Sequence, residues 1–110
     1  MNKTAFRILL IEDVPADAAL ITYELQKAGI SFKEKCIASK RDFIAEIESG
    51  LPDAIISDFS MPQFNALDAL QLLQEQNIEV PFVLVTGSQS EEVAVECIKK
   101  GADDYILKSS

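Results

Sequence analysis

Short apolar runs alternate along this chain with segments whose apolar residues recur every three or four positions, and few folds accommodate that alternation. Phe6–Ile11, Ala54–Ile56 and Phe82–Val85 are continuous and rich in Ile, Leu and Val, as expected of parallel strands covered on both faces. Phe32–Ile37 mixes charged residues with apolar ones and is predicted to be an edge strand, and Tyr105–Leu107 is predicted to be the last strand. Between these runs lie four sets with helical spacing: Ala18, Ile21, Leu25 and Ala28; Phe43, Ile44 and Ile47; Leu67, Leu70 and Leu73; Ala94, Cys97 and Ile98.

The boundaries of these segments carry residues with a mechanical reason to be there. Ser39 with Asp42, and Asn65 with Asp68, can satisfy the exposed amides of a helix start, and Pro15 suits a first turn. Gly29, Gly50 and Gly101 follow predicted helices, where a left-handed residue closes the last turn. Regular βα alternation with right-handed crossovers yields an α/β fold: a flavodoxin-like open parallel five-stranded sheet, order 2-1-3-4-5, with helices on both faces. Ligands bind such sheets at the carboxyl ends of the strands flanking the switch point, here the first and third. A fifth helix, which would cover part of one face, is missing from the pattern.

At 110 residues the chain is read as one domain, 1–110, shortened at its C-terminal end. A formal charge of −8 with no Lys/Arg cluster argues against a phosphate-backbone binder, so direct contact with nucleic acid is not expected. Cys36 and Cys97 form no CxxC or Cys/His arrangement, and the absence of histidine excludes a His-dependent triad or zinc site. Both thiols are expected to be buried, in a reducing compartment. No signal peptide or membrane span is evident, so a cytoplasmic location is expected.

The switch-point rule selects three carboxylates. Glu12 and Asp13 directly follow Ile8–Ile11, and Asp58 follows Ala54–Ser57, so all three should meet at the ends of adjacent strands. Clustered carboxylates repel one another unless a cation sits among them, and an all-oxygen donor set favours a hard divalent ion such as Mg²⁺, which readily takes phosphate oxygens. Thr86, after Phe82–Val85, offers a hydroxyl to a phosphoryl group, and Lys108, after Tyr105–Leu107, offers a positive charge.

This ordered set resembles the receiver domain of two-component response regulators, of the chemotaxis-regulator type, over essentially the whole chain. The resemblance rests on Glu12-Asp13, Asp58 followed by Met61-Pro62, Thr86, and Gly101-Ala102-Asp103 before Tyr105-Ile106-Leu107-Lys108. It implies that Asp58 accepts a phosphoryl group from a phosphohistidine on a sensor histidine kinase or a histidine phosphotransfer protein. It further implies that Asp13, Asp58 and the Ser60 carbonyl bind Mg²⁺ while Glu12 acts through metal-bound water. Lys108 and Thr86 would contact phosphoryl oxygens, with Thr86 and Tyr105 forming a conformational switch. Ser60 and Ser88 flank the reaction centre and are expected to tune hydrolysis. The resemblance implies a self-catalysed phosphoacceptor rather than an enzyme with a separate substrate.

Three departures from the family pattern stand out. Ala66 replaces a common glycine; the fifth helix is missing; and Ser109 follows Lys108 where the family carries proline after a cis bond. A cis bond before serine would cost about 3 kcal/mol. The Thr86 and Lys108 neighbourhoods resemble receivers embedded in larger sensory proteins, so a longer chain or a dimer is compatible with the sequence. A phosphorylation-independent pseudo-receiver, acting as a protein-binding module, is the alternative; intact Asp58, Thr86 and Lys108 argue against it. A flavin binder is disfavoured because Glu12-Asp13 would repel the flavin phosphate. A phosphatase lacks a second acid/base Asp two residues beyond Asp58, where Ser60 stands.

Overall fold

In the computed structural model, residues 6–59, 61–87 and 91–107 are described. They alternate as β1 (Phe6–Ile11), α1 (Pro15–Lys27), β2 (Phe32–Ile37), α2 (Lys40–Ser49), β3 (Ala54–Asp58), α3 (Ala66–Glu75), β4 (Phe82–Thr86), α4 (Glu91–Lys99) and β5 (Asp104–Leu107). The five strands form one parallel sheet in the order β2-β1-β3-β4-β5, as the alternation predicts. β3 and β4 extend further than their apolar runs, so Asp58 and Thr86 are the last residues of strands rather than the first residues of loops. No helix among the described residues is long and apolar enough to cross a membrane.

Side chains alternate across the sheet, and two cores result. Leu9, Ile11, Ile55, Phe82 and Leu84 face α2, α3 and α4, where they meet Phe43, Leu70, Leu73, Ala94 and Cys97. Ile8, Leu10, Ile56 and Val85 face α1 and meet Ala18, Ile21 and Leu25. Helices therefore cover both faces, and among the described residues there are four of them. On the thinner face Ile106, beside Val85 in register, is 55% exposed.

The predicted helix boundaries have physical causes in the structure. Ser39 accepts the Asp42 amide at 3.1 Å, and Asn65 forms a full capping box with Asp68, accepting that residue's amide at 3.0 Å and donating its own at 3.1 Å. Pro15 occupies the first turn of α1. Gly101 follows α4 at φ 119°, a conformation that side-chain-bearing residues rarely adopt, so the backbone there favours glycine. α3 is closed without a glycine: Asn77 takes φ 56°, a conformation asparagine tolerates better than most residues.

At the amino-terminal edge of the sheet the same device is used twice. Asp53 accepts the Arg7 amide at 2.8 Å and returns its own amide to the Arg7 carbonyl; Asp103 does the same with Phe82, at 2.7 and 2.8 Å. Each aspartate precedes a strand and locks its start against a neighbour, which holds register at the end remote from the switch point. The Arg7 guanidinium adds a bond of 2.9 Å to the Leu51 carbonyl.

The expectation of two buried thiols requires correction. Cys97 is buried in the larger core, but Cys36 is exposed, because β2 is an edge strand with no strand beyond it. Burial, then the neighbouring Glu96 carboxylate, pushes the Cys97 thiol above its ordinary value of 9.0. The fold thus holds the protonated form more tightly than the unfolded chain does, and this contribution to stability is lost as pH rises above 9.0. A disulfide-exchange reagent at neutral pH should modify Cys36 but leave Cys97 intact until urea is added. Replacement of the α3 cap, Asn65→Ala, should lower the urea-unfolding free energy by about 1 kcal/mol.

Candidate functional site

Four polar residues are buried among the described residues: Glu12, Ser57, Asp58 and Thr86. All four lie at the carboxyl ends of β1, β3 and β4, the positions that flank the switch point and its neighbour. The register brings them together. Ile11 pairs with Ser57, so Glu12 and Asp58 are the next residues on adjacent strands, while Asp58 pairs with Val85, beside Thr86.

The backbone continues the sheet ladders past each strand end. The Glu12 amide donates to the Ile37 carbonyl at 3.0 Å, and the Phe59 amide donates to the Val85 carbonyl at 3.1 Å. The acidic side chains thus project from a frame that is bonded on both sides of the pocket. Glu12 accepts the Val14 amide at 3.3 Å, a bond that folds the chain back as it enters α1. Asp13 is exposed at the rim, whereas Glu12 and Asp58 are 4% and 3% exposed.

Each of Glu12, Asp13 and Asp58 offers a carboxylate oxygen, and the three oxygens lie within 4.8 Å of one another. Placing three such groups together with two of them buried is costly unless positive charge is supplied. The donor set contains oxygen alone, which suits a hard divalent cation, and Asp13 leaves the site open on its solvent side. Thr86 is fully buried, yet its hydroxyl has no hydrogen-bond partner among the described residues. A buried hydroxyl in that condition forgoes about 1–3 kcal/mol of solvation, so a group able to bond it there would be favoured.

The sequence-predicted residues are thus partly assembled. Glu12, Asp13, Asp58 and Thr86 converge, while Lys108, Ser60 and Ser88, and the Lys108–Ser109 bond, lie outside the described residues. Tyr105 lies opposite Leu84 in register, on the same sheet face as Thr86, and packs half-buried against the larger core. A Cβ at Gly87 would meet nothing within 4 Å, so its lack of a side chain is not required by contacts there.

Two neighbours escaped the sequence reading. Ser57 donates its hydroxyl to the Asp58 carbonyl at 3.1 Å; its place between the apolar Ala54–Ile56 and Asp58 was the available signal. Cys36 places its sulphur 3.5 Å from the Glu12 carbonyl, although the residue as a whole is exposed. Partial burial, then the Glu12 and Glu34 carboxylates, pushes this thiol up. Nothing local announces that contact, since it follows from the β1–β2 register alone.

Comparison with known proteins agrees with this geometry. The response regulator receiver domain family matches residues 8–110, and the chain belongs to it. It is a two-component receiver domain. The regulatory protein LuxO of Vibrio cholerae is 31% identical over 99 residues, 90% of this chain but 21% of that protein. Among solved structures, the signal receiver domain of a putative Luxo repressor protein from Vibrio parahaemolyticus superposes with a TM-score of 0.82. It is 28% identical, covering 96% of this chain and 80% of that one. The receiver domain of a signal transduction histidine kinase from Syntrophus aciditrophicus gives a TM-score of 0.78, also at 28% identity, with 96% and 80% covered. The chain spans about a fifth of the length of the LuxO relatives it matches, 21% in each case.

The condition of Thr86 makes a prediction about the fold alone. Thr86→Val removes a buried hydroxyl without disturbing a bond to any described residue, and should raise the urea-unfolding free energy by about 1 kcal/mol. A fall of similar size would show that the hydroxyl is bonded in solution.

Proposed function

We propose that this domain accepts a phosphoryl group on Asp58 from a phosphohistidine and converts that event into a change of surface. The observation that carries the reading is the convergence of Glu12, Asp13 and Asp58 on one spot, with the buried Thr86 hydroxyl, unpartnered among the described residues, on the next strand. In the transfer, an Asp58 carboxylate oxygen forms a bond to phosphorus as the phosphorus–nitrogen bond breaks with its electron pair going to the imidazole; a proton on the other ring nitrogen of the donor lets it leave as neutral histidine, and Asp58 becomes an aspartyl phosphate. Catalysis here is positioning and charge neutralisation, so no histidine base is needed and the domain acts on itself rather than on a separate substrate.

Asp13 and Asp58 would hold Mg²⁺, with the Ser60 carbonyl as a third ligand and Glu12 acting through water. When bound, Mg²⁺ neutralises charge on the carboxylates and phosphoryl oxygens. The frame of Glu12 and Phe59 amide bonds keeps Asp58 oriented for in-line attack. Lys108 would pair with a phosphoryl oxygen, and Thr86 would donate its hydroxyl to another. That new bond gives the phosphorylated form an interaction the free form lacks, which is what a population shift requires. Tyr105, on the same sheet face, is the side chain placed to follow Thr86.

The partner is a sensor histidine kinase or a histidine phosphotransfer protein in the cytoplasm, and the output belongs to a longer chain or a second protein. Direct contact with nucleic acid is not expected from a domain of charge −8. With Mg²⁺ and acetyl phosphate, intact mass should rise by one phosphoryl group, and Asp58→Asn or added EDTA should abolish the gain. Lys108→Ala should slow the gain by about 100-fold. Thr86→Val should keep it but lose the beryllofluoride-induced change in amide spectra. A wild-type chain inert to both reagents would overturn the proposal, and partner binding unaltered by Asp58→Ala would favour a pseudo-receiver.

A further inference from the structure

The segment between Asp58 and α3 is exposed at Pro62 and Gln63 but buried on either side of them, at Met61 and Phe64. Met61 is 5% exposed and Phe64 1%, and both side chains enter the larger core. The Phe64 ring packs against Phe43 of α2 with centroids 5.3 Å apart. The backbone is tied at the same places. The Phe59 amide reaches the Val85 carbonyl, the Met61 amide donates to the Phe59 carbonyl at 2.9 Å, and the Asn65 capping box closes the segment. The Met61 bond joins the two residues that bracket Ser60, immediately beyond the acceptor carboxylate. With Met61 and Phe64 sunk in the core, residues 61–65 have little freedom, although their connecting role requires no such rigidity.

We infer that Met61 and Phe64 are positioning residues for the acidic pocket: their burial holds the backbone beyond Asp58 in the one arrangement in which the pocket takes a divalent cation. This rests on the phosphoacceptor reading above. Truncating Met61 frees the backbone at the Phe59–Met61 bond without altering any carboxylate. Cation affinity should then fall, because ligands that must be ordered on binding cost entropy that fixed ones do not. Leucine, similar in volume and equally apolar, should keep the anchor.

The test uses the whole chain and Mg²⁺ alone, with affinity measured by isothermal titration calorimetry at a temperature where circular dichroism shows each variant folded. Met61→Ala should weaken Mg²⁺ binding about 10-fold, the lower end of what supporting residues contribute at metal sites. Met61→Leu should stay within about twofold of wild type. Phe64→Leu, a smaller defect that spares the fold, should shift affinity in the same direction as Met61→Ala. Leu73→Ala is the control. Leu73 is buried in the same core, about two turns along α3 from its start, and its loss should lower stability while leaving Mg²⁺ affinity unchanged. Wild-type affinity in Met61→Ala and Phe64→Leu, or an equal loss in Leu73→Ala, overturns the positioning role and leaves the phosphoacceptor reading intact. A wild-type chain that binds no Mg²⁺ overturns both.

Discussion

Like charges gathered in a buried place are the constraint on which the rest of this structure depends. Two carboxylates almost removed from solvent, with a third at their rim, are not drawn together by one another, since like charges repel. The backbone sets their positions. The β1–β3 register sets Glu12 beside Asp58, and amide bonds from Glu12 to β2 and from Phe59 to β4 fix both ends. A parallel sheet suits this task because all its strands finish at the same edge, where side chains from neighbours meet.

The other end of the sheet carries the stabilising devices that the pocket cannot contain. Asp53 and Asp103 lock strand starts, Arg7 reaches back to the Leu51 carbonyl, and two cores bury the apolar residues of the strands. Stability and chemistry are thus separated along the strand direction. At the carboxyl ends the buried Thr86 hydroxyl lacks a partner among the described residues, while the amino-terminal edge and the cores support the fold. This distribution follows a general trade: a site that must gain a partner cannot also be satisfied in its absence.

Much of the fold was legible before any coordinate. Apolar runs marked the three central strands, and the mixed segment Phe32–Ile37 and Tyr105–Leu107 marked the edges. Ser39 and Asn65 marked helix starts because an exposed amide there needs an acceptor, and Pro15 because it has no amide hydrogen to satisfy. Strand ends were less legible. The apolar runs stop at Ile56 and Val85, so Asp58 and Thr86 were read as following their strands, but both complete ladders in the sheet, because neighbouring strands bind their backbones whatever their side chains. The exposure of Cys36 was misread for a related reason: cysteine is among the most often buried residue types, but this one follows Lys33-Glu34-Lys35 on an edge strand, which leaves it open.

The candidate site divides the same way. The identity of its groups was in the sequence, since Glu12, Asp13 and Asp58 stand at the ends of apolar runs and their chemistry needs no further context. Their number and order, with Thr86, were enough for the resemblance to a receiver. What tertiary structure decided was proximity and solvation. It placed three oxygens within 4.8 Å, sank Glu12 and Asp58 but left Asp13 at the rim, and closed Thr86 off without a partner among the described residues. It also sank Met61 and Phe64 on either side of an exposed turn. Spacing along a chain specifies which residues a strand or helix presents. Burial and distance arise only when elements far apart in sequence share one interior, and this domain's chemistry depends on both.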